Sequence, residues 1–558
     1  MNIFLQYLIQ EKFYLQKVML NEVDWLNGKT LERIKLSKLH LSIFLRLLND
    51  WNLKPSDAIL KPKIQTVTKC AASFITNAFS SSLANLACRL LEKLSLDPDI
   101  PILAVLEMDY SQIQCLFLEK LRDPLEDDIF KITALDLINT SLLTQNGLTA
   151  AFFNALDVIE KKEKSKSVPA DSVCDFMIDY LENIQKSPDY LTNPVQKSIL
   201  RVFSTLWSTG RENLVQDIYS LKCFWPLLTD PLFHPSIRDP EVYTHILTIT
   251  TIHILEFQKN VDKNLKQVIT DFFKNEKLIE EWIGYIKSVL SNVSDDQSKE
   301  ACAFIFAWKK LVISIKTYIP EVITSTSIQC SLILSCLKGI LWNFSVLTNN
   351  EIITDFSDLY LILIFTWPDS YKSEIETIDL LTTVLSTYVA NCKFPSTHNR
   401  EVFLTMVHKT IRDCSELLQC HPNLLNNLLK SVGLMLDSEY KHLCGHHDDI
   451  NAKIRSVMCW VLVARVGDSV LTLNTVKPFS TFFKYHQYLS RMLISIRLLL
   501  SDINTLPMVK MLLKTLIHYA QSDIAMDFLT ENSTILYDII DNGKPYFQIV
   551  IRKNYQSI

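Results

Sequence analysis

The chain has 558 residues, of which 48% are apolar and only nine are glycine. With so few glycines it is poorly suited to the tight hairpin turns of β-sheets or to glycine-rich phosphate loops. Its 56 basic and 61 acidic residues give a net charge of −5 and are spread along the sequence, which excludes the concentrated basic face of a nucleic-acid-binding protein. Thirteen cysteines without a C-x-x-C pair indicate reduced thiols rather than a disulfide framework.

The amino-terminal half is organised as amphipathic helices joined by short turns. In the stretch from Leu83 to Leu94, leucine and alanine recur on one helical face, while arginine, glutamate and lysine occupy the other. The sequence Asp97-Pro98-Asp99 ends this helix because proline lacks the amide hydrogen that a helix needs. The same spacing predicts further helices at about 111–121, 129–143, 148–159, 172–185, 194–207 and 212–221.

The helical spacing continues through the carboxyl-terminal half. The clearest helices predicted there are at about 268–273, 278–290, 301–318, 402–418, 507–519 and 523–529. Pro194 and Pro507 lie where the first turn of a helix is expected, and proline is well tolerated in that turn. No residue signature recurs at a constant period, which favours irregular repeats of the HEAT or armadillo type.

An array of helical repeats reconciles the length of the chain with its lack of a clear domain boundary, because each repeat contacts only its neighbours. We therefore predict an all-α fold, an irregular ARM/HEAT-like helical-repeat superhelix (α-solenoid) that forms one continuous domain over residues 1–558. A charged loop is expected near 160–170 and a polar loop near 437–452. No membrane span is predicted, and both ends lack a polar capping repeat, so we expect a piece of a longer protein.

Two segments hold residue types that carry chemistry in other proteins. Gly28-Lys29-Thr30 resembles the end of a phosphate loop, but Val23 stands where that loop needs glycine, so Gly28 is predicted to be a left-handed helix cap and Thr30 to begin the next helix. The potential metal ligands of the second segment are Cys420, His421, His442, Cys444, His446, His447, Asp448 and Asp449. They lack a C-x-x-C or H-E-x-x-H spacing, so a solvated turn is predicted there and a structural metal is the alternative.

The chain is not expected to be an enzyme, and no catalytic, cofactor or metal site is predicted. No histidine is followed by glutamate, and no G-x-S-x-G motif occurs. A catalytic triad assembled from distant helices stays open at this stage. In the tract at 161–166, lysine alternates with glutamate and serine, which predicts a solvated loop rather than a localisation signal or a basic arm.

A group of aromatic residues lies close together within the segment 206–233. Its members are Trp207, Phe224, Trp225 and Phe233. We predict that they fill the core where two helices and a turn meet, because their spacing already fits helix packing. The alternative is a groove between helices that receives aromatic residues of a partner.

The same segment resembles the nucleoporin-188 family, whose members are large scaffold subunits of the inner ring of the nuclear pore complex. The residues that match the family pattern are Leu206, Trp207, Arg211, Phe224, Trp225, Leu228, Pro231, Leu232 and Phe233. Further on, the stretches 282–288 (WIGYIKS) and 307–309 (AWK) are similar to the next landmarks of the family. The likeness is clear from about residue 60 to residue 320 and involves core-filling motifs rather than catalytic ones.

The resemblance implies a ring-shaped or question-mark-shaped superhelix without enzymatic activity, located in the nuclear pore complex at the nuclear envelope, that supports transport of proteins and mRNA. The implied partners are the linker nucleoporin-93 class and, more weakly, phenylalanine-glycine repeat nucleoporins and transport receptors, with no nucleic acid. The family's amino-terminal half has no counterpart here, and the chain is expected to end before the tail helices that hold the linker. The alternatives are another protein-interaction scaffold or an importin-like helical-repeat transport receptor. The receptor would need acidic runs on its inner face for basic cargo.

Overall fold

The computed structural model describes residues 2–19, 28–50, 61–75, 80–106, 108–153, 172–186, 193–235, 239–291, 298–346, 349–391, 397–445, 461, 488–500, 505–519, 534, 537, 540 and 541. Within these ranges the regular structure is α-helix with short 3-10 helices, and no β-strand occurs. The predicted all-α, helical-repeat fold is therefore confirmed.

The chain divides into two compact units, Met1–Ile269 and Thr270–Ile558. The helices of the first unit are α1 (Asn2–Met19), α2 (Gly28–Asp50), α3 (Lys61–Ile75), α4 (Ser81–Ser95), α5 (Ile102–Leu106), α6 (Tyr110–Arg122), α7 (Asp128–Thr144), α8 (Asn146–Phe153), α9 (Val173–Ile184), α10 (Pro194–Ser208), α11 (Glu212–Tyr219), α12 (Phe224–Thr229) and α13 (Pro240–Phe257). The division between the units falls within α14 (Lys263–Lys274).

The second unit continues in the same way. Its helices are α15 (Glu276–Ser291), α16 (Ser298–Tyr318), α17 (Thr326–Val346), α18 (Asn350–Thr366), α19 (Ile375–Asn391), α20 (Thr397–Asp413), α21 (Ser415–Cys420), α22 (Pro422–Gly445), α23 (Tyr488–Leu499) and α24 (Leu506–Tyr519). Short 3-10 helices lie at Asp230–Phe233, Gln258–Asn260, Pro320–Val322 and Pro368–Ser370.

Within each unit the helices stack in two rows. In the first unit α2, α4, α7, α10 and α13 each contact the next helix of one row, and α1, α3, α5, α8, α9 and α12 do the same in the other. In the second unit the rows are α15, α17, α19 and α22, and α16, α18 and α20. Each helix contacts its neighbours in the row and across it, which is the arrangement of a helical-repeat protein.

Local side-chain chemistry determines where the helices begin and end. The Asn193 side chain accepts hydrogen bonds from the amides of Val195 and Gln196, and Pro194 opens α10 where its missing amide hydrogen is harmless. Ser172 and Asp175 form a reciprocal capping box at the start of α9. At the end of α10, Gly210 adopts a φ of 64°, a conformation that glycine takes without steric cost.

Three details of the sequence prediction are corrected. The polar loop near 437–452 is wrong for residues 437–445, because α22 stays helical to Gly445; residues 446–452 lie outside the described part. Gly28 is the first residue of α2 and has no left-handed φ, so it begins a helix rather than ending one. The helix predicted at 402–418 is two helices, since the chain turns at the buried Cys414.

Some predicted elements lie outside the described residues. These are the charged loop near 160–170 and the helix at 523–529, and the helix at 148–159 is described only to Phe153. The single continuous solenoid over 1–558 stays a prediction. The other predicted helices for which bounds were given are present. The agreement is good for α10, expected at 194–207 and observed at Pro194–Ser208, and poorest for α14, expected from 268 and observed from Lys263.

One helix of the described part, α17, is long and apolar enough over Thr326–Phe344 to cross a membrane by length and composition alone. In the structure 61% of that stretch is buried, and α17 contacts α15, α18 and α19. A core helix that is surrounded by other helices has the same apolar composition. We therefore interpret α17 as the central helix of the second unit.

Candidate interaction surface

The aromatic residues of the 206–233 segment form the core between α10 and α12. Trp207, Phe224 and Trp225 are each at most 1% exposed, and Phe233 is half-buried. The ring of Trp207 stacks on that of Phe224 with 5.4 Å between centroids, and the Trp225 ring meets Trp207 edge-on at 6.2 Å. The predicted core role is confirmed for these three rings, because none of them is available to a partner.

A histidine that the sequence analysis did not single out completes this cluster. His253 of α13 is fully buried, with ring centroids 4.6 Å from Trp225, 4.4 Å from Phe257 and 5.0 Å from Tyr219. Neither of its ring nitrogens has a hydrogen-bond partner within the described structure. Burial lowers the pKa of His253 to about 4, although Asp262 opposes this shift, so the imidazole is neutral at physiological pH.

Arg211, the arginine of the family pattern, ties two turns of the first unit together. Its Nη2 donates to the main-chain oxygen of Leu142 at 3.0 Å and to Oδ1 of Asn146 at 2.9 Å. The last carbonyl groups of a helix have no partner within that helix, so the guanidinium satisfies one of them at the end of α7. The residue therefore holds the turn after α10 against the turn between α7 and α8.

A second arginine links three successive helices of one row. Arg201 of α10 contacts Asp136 of α7 at 3.1 Å and Glu241 of α13 at 2.8 Å. Lys197, one turn earlier on α10, also pairs with Glu241. His245, 3.5 Å from the Glu241 carboxylate, and the two cations hold the pKa of that carboxyl well below its usual value.

The second landmark of the family pattern is also a core cluster. Trp282 of α15 stacks on Trp308 of α16 with 5.3 Å between ring centroids and 11° between the ring planes. Phe304 lies 6.2 Å from Trp282 and meets Tyr285 edge-on at 5.6 Å. All four side chains are buried, so these residues hold α15 against α16 in the second unit.

The structure describes only part of the candidate metal segment, so the metal alternative stays a prediction. Cys420 ends α21 and is exposed, His421 follows it, and His442 and Cys444 belong to α22. The side chains of His442 and Cys444 and the residues from His446 to Asp449 lie outside the described structure. Among the residues that the structure describes, no group of three or more histidine, cysteine, aspartate or glutamate side chains could hold a metal ion.

The polar networks described above are hydrogen bonds and ion pairs between neighbouring helices. Arg201, Arg211 and their carboxylate and carbonyl partners cross from one helix to the next, and the family residues fill the core. Side chains used in this way hold neighbouring repeats in register. The fold and its pattern of contacts therefore define a helical-repeat protein.

Comparison with known proteins agrees with this class. No protein-family profile matches the chain. The chain is similar to nucleoporin Nup188 of Drosophila melanogaster, with 26% identity over 460 residues that cover 77% of this chain and 24% of the fly protein. The nucleoporins NUP188 of Homo sapiens and Mus musculus each match at 25% identity over 333 residues, which cover 55% of this chain and 19% of theirs.

These matches confirm the resemblance to the nucleoporin-188 family. The chain spans about a quarter or less of the length of the curated relatives that it matches. The matched region therefore corresponds to part of each of these relatives.

Proposed function

We propose that this chain is a structural scaffold subunit of the inner ring of the nuclear pore complex, located at the nuclear envelope, where it supports nucleocytoplasmic transport of protein and mRNA. The observation that carries the proposal is the similarity to nucleoporins of fly, human and mouse, which extends over 77% of the chain in the fly comparison. The family residues Trp207, Trp225 and Trp282 support it, because they are buried where they hold helices together.

The proposed activity is binding rather than catalysis. Glu241 of the first unit has a carboxyl whose pKa is strongly lowered. It is paired with Lys197 and Arg201, which makes it a structural ion-pair partner. The buried His253 lies among aromatic rings, where it has no access to a substrate. Structural contacts explain the shifted pKa values of both Glu241 and His253, so neither shift indicates a catalytic role.

The proposed partners are other nucleoporins, first the linker nucleoporin-93 class, then phenylalanine-glycine repeat nucleoporins and transport receptors. An importin-like receptor would hold basic cargo on runs of unpaired carboxylates along its inner face. In the Arg201 network the carboxylates of Asp136 and Glu241 are already matched by cations, which supports the scaffold over the receptor.

Localisation of the endogenous protein tests the proposal. A fluorescent tag should give a punctate nuclear rim that persists when transport cargo is depleted. The variant Trp225→Ala, which removes a fully buried ring, should lose the rim, whereas Leu125→Ala, at a side chain that is 92% exposed, should keep it. A diffuse cytosolic signal, or shuttling between cytosol and nucleus, would defeat the scaffold role.

The partner part of the proposal has its own test. Purified full-length protein should retain the linker nucleoporin-93 of the same species in a pull-down at physiological salt. If the tagged protein lies at the nuclear rim but does not retain the linker in the pull-down, the proposed scaffold role stands and the proposed contact with the linker is wrong.

A further inference from the structure

The second unit contains a shallow groove between neighbouring helices of one row. The groove runs between α16 and α18 and has a volume of about 440 Å³. It is lined by Cys302, Ala303 and Phe306 of α16 and by Glu351, Thr354 and Asp355 of α18. The residues from each helix lie within about one turn of each other, so the groove faces outward along a single seam.

The floor of the groove carries an exposed aromatic ring. Phe306 is 48% exposed, although Phe304 and Trp308 of the same helix are buried in the core. Ala303, one turn before Phe306, is exposed as well and has too small a side chain to shield the ring. The Lys310 ammonium lies 5.1 Å from the centre of the Phe306 ring and contacts it from one side.

The wall formed by α18 carries an excess of negative charge. Glu351, Asp355 and Asp358 follow at successive turns of this helix. Lys309 pairs with Asp355 at 2.9 Å and with Asp358 at 2.7 Å, and its side chain is only 12% exposed. Glu351 is exposed and has no ion pair within the described structure, so it is the carboxylate that can accept a cation from outside.

The electrostatics of the groove agree with the assignment of Glu351 as the carboxylate that accepts a cation. Burial raises the pKa of the Asp355 carboxyl, and the nearby charges of Asp358 and Glu351 act in the same direction against the opposing effect of Lys309. Glu351 likewise adds to the effect of burial in raising the pKa of the Cys302 thiol. The negative charge of Glu351 therefore acts across the groove on both walls.

We propose that the groove between α16 and α18 binds a short segment of a partner protein that places an apolar side chain against Phe306 and a lysine or arginine against Glu351. The groove has a volume of about 440 Å³ and offers the exposed Phe306 ring for apolar contact beside the exposed Glu351 carboxylate. Charge complementarity selects a basic segment over an acidic one, because the Glu351 carboxylate on the wall repels other carboxylates. This inference goes beyond the proposed role in the pore.

The proposed binding role of the groove is tested with the purified full-length chain. Peptides that bind the chain are selected from a random library displayed on phage. The wild type serves as the target, and the Phe306→Ala variant removes peptides that bind elsewhere. We expect the recovered peptides to combine an apolar residue with lysine or arginine. Failure to enrich any peptide over the variant, or enrichment of acidic peptides, would overturn the proposal.

Binding of a recovered peptide is then measured by fluorescence anisotropy. Phe306→Ala should raise its Kd by about tenfold or more, as removal of a central apolar anchor does. Glu351→Gln should raise it about two- to fivefold, and that difference should vanish near 1 M salt because exposed ion pairs are screened. Equal Kd values for the wild type and Glu351→Gln at low salt would contradict the assigned role of the carboxylate.

Two controls establish whether the peptide binds in this groove and whether a second copy of the chain binds there instead. Phe365→Ala removes an even more exposed ring, at 65%, from the same helix as Glu351 and should leave peptide binding unchanged. Self-association of the wild type that Phe306→Ala abolishes would assign the groove to a second copy of this chain and would overturn the proposal. The peptide assay uses purified protein, so its outcome is independent of whether the protein reaches the nuclear rim.

Discussion

The ring of Trp207 lies parallel to the ring of Phe224, with 5.4 Å between the centroids and 6° between the planes. Phe203 meets Phe224 edge-on at 5.6 Å, and Trp225 meets Phe224 in the same way at 5.1 Å. Stacked and edge-on aromatic pairs add stabilisation beyond the area that they bury. These contacts hold the short α12 against α10 and explain why the segment is rich in large rings.

Replacement of Trp225 by alanine should destabilise the protein by about 3 to 5 kcal/mol, because a fully buried ring is removed and the cavity cannot collapse completely. Denaturant unfolding followed by far-ultraviolet circular dichroism measures this. The matched control is Leu125→Ala in the same unit, at a side chain that is 92% exposed, which should change stability by less than about 0.5 kcal/mol. A loss below about 1 kcal/mol for Trp225→Ala would mean that the ring contributes little to the core.

His253 should make stability fall in mildly acidic solution. Its pKa is lowered from 6.5 to about 4 by burial, so between these values the unfolded chain binds a proton that the folded chain excludes. The stabilising contribution is therefore complete above about pH 6.5 and is lost as the pH falls towards 4, by up to about 3 kcal/mol.

The variant His253→Phe isolates this effect, because it keeps an aromatic ring of similar size and removes the titrating group. Urea unfolding of both proteins at about pH 7 and about pH 4.5 gives the comparison. The wild type should lose more stability than the variant over this interval. Parallel loss in the two proteins would show that other groups cause the acid sensitivity.

Arg211→Ala should cost about 1.5 to 3 kcal/mol, since the charge-assisted hydrogen bonds to the Leu142 carbonyl and the Asn146 side chain are both lost. Asn146→Ala removes only one of them and should cost less. A double-mutant cycle with the two variants should give a coupling energy of at least about 0.5 kcal/mol, because the side chains are in direct contact. If the stability losses of Arg211→Ala and Asn146→Ala simply add in the double variant, the two side chains do not interact.

The sequence was sufficient for those features that depend on neighbouring residues. Pro194 lies in the first turn of α10, as expected from the sequence, because the start of a helix depends on local chemistry. The core role of Trp207 also followed from its spacing. In contrast, the loop expected from the polar residues near 437–452 is helical up to Gly445, because polar residues are equally compatible with the exposed face of a helix.

The long-range contacts could not be predicted in this way. Arg201 pairs with Asp136 and Glu241, which come from helices far apart in the sequence. His253 resembles any polar residue within an apolar helix until its neighbours are known. The groove at Phe306 depends on which face of α16 the stacked helices leave uncovered, and only the packing of α16 against α18 determines that.

Two helical glycines of the second unit should respond to alanine in opposite directions. A Cβ atom added at Gly339 of α17 would lie 2.5 to 2.8 Å from ring carbons of Phe356 on α18, closer than van der Waals contact permits. Phe356 is itself buried at 1% exposure and has little room to move. Gly339→Ala should therefore destabilise the protein by about 1 to 3 kcal/mol, despite the better helix propensity of alanine.

Gly284 of α15 is the matched control, because a Cβ atom there would have no heavy atom within 4 Å. Gly284→Ala should stabilise the protein by up to about 1 kcal/mol, as expected for an exposed position inside a helix. Thermal and denaturant unfolding of both variants measure the two changes. A gain in stability from Gly339→Ala would show that α17 and α18 are spaced more widely than the contact with Phe356 requires, since the methyl group would then fit between them.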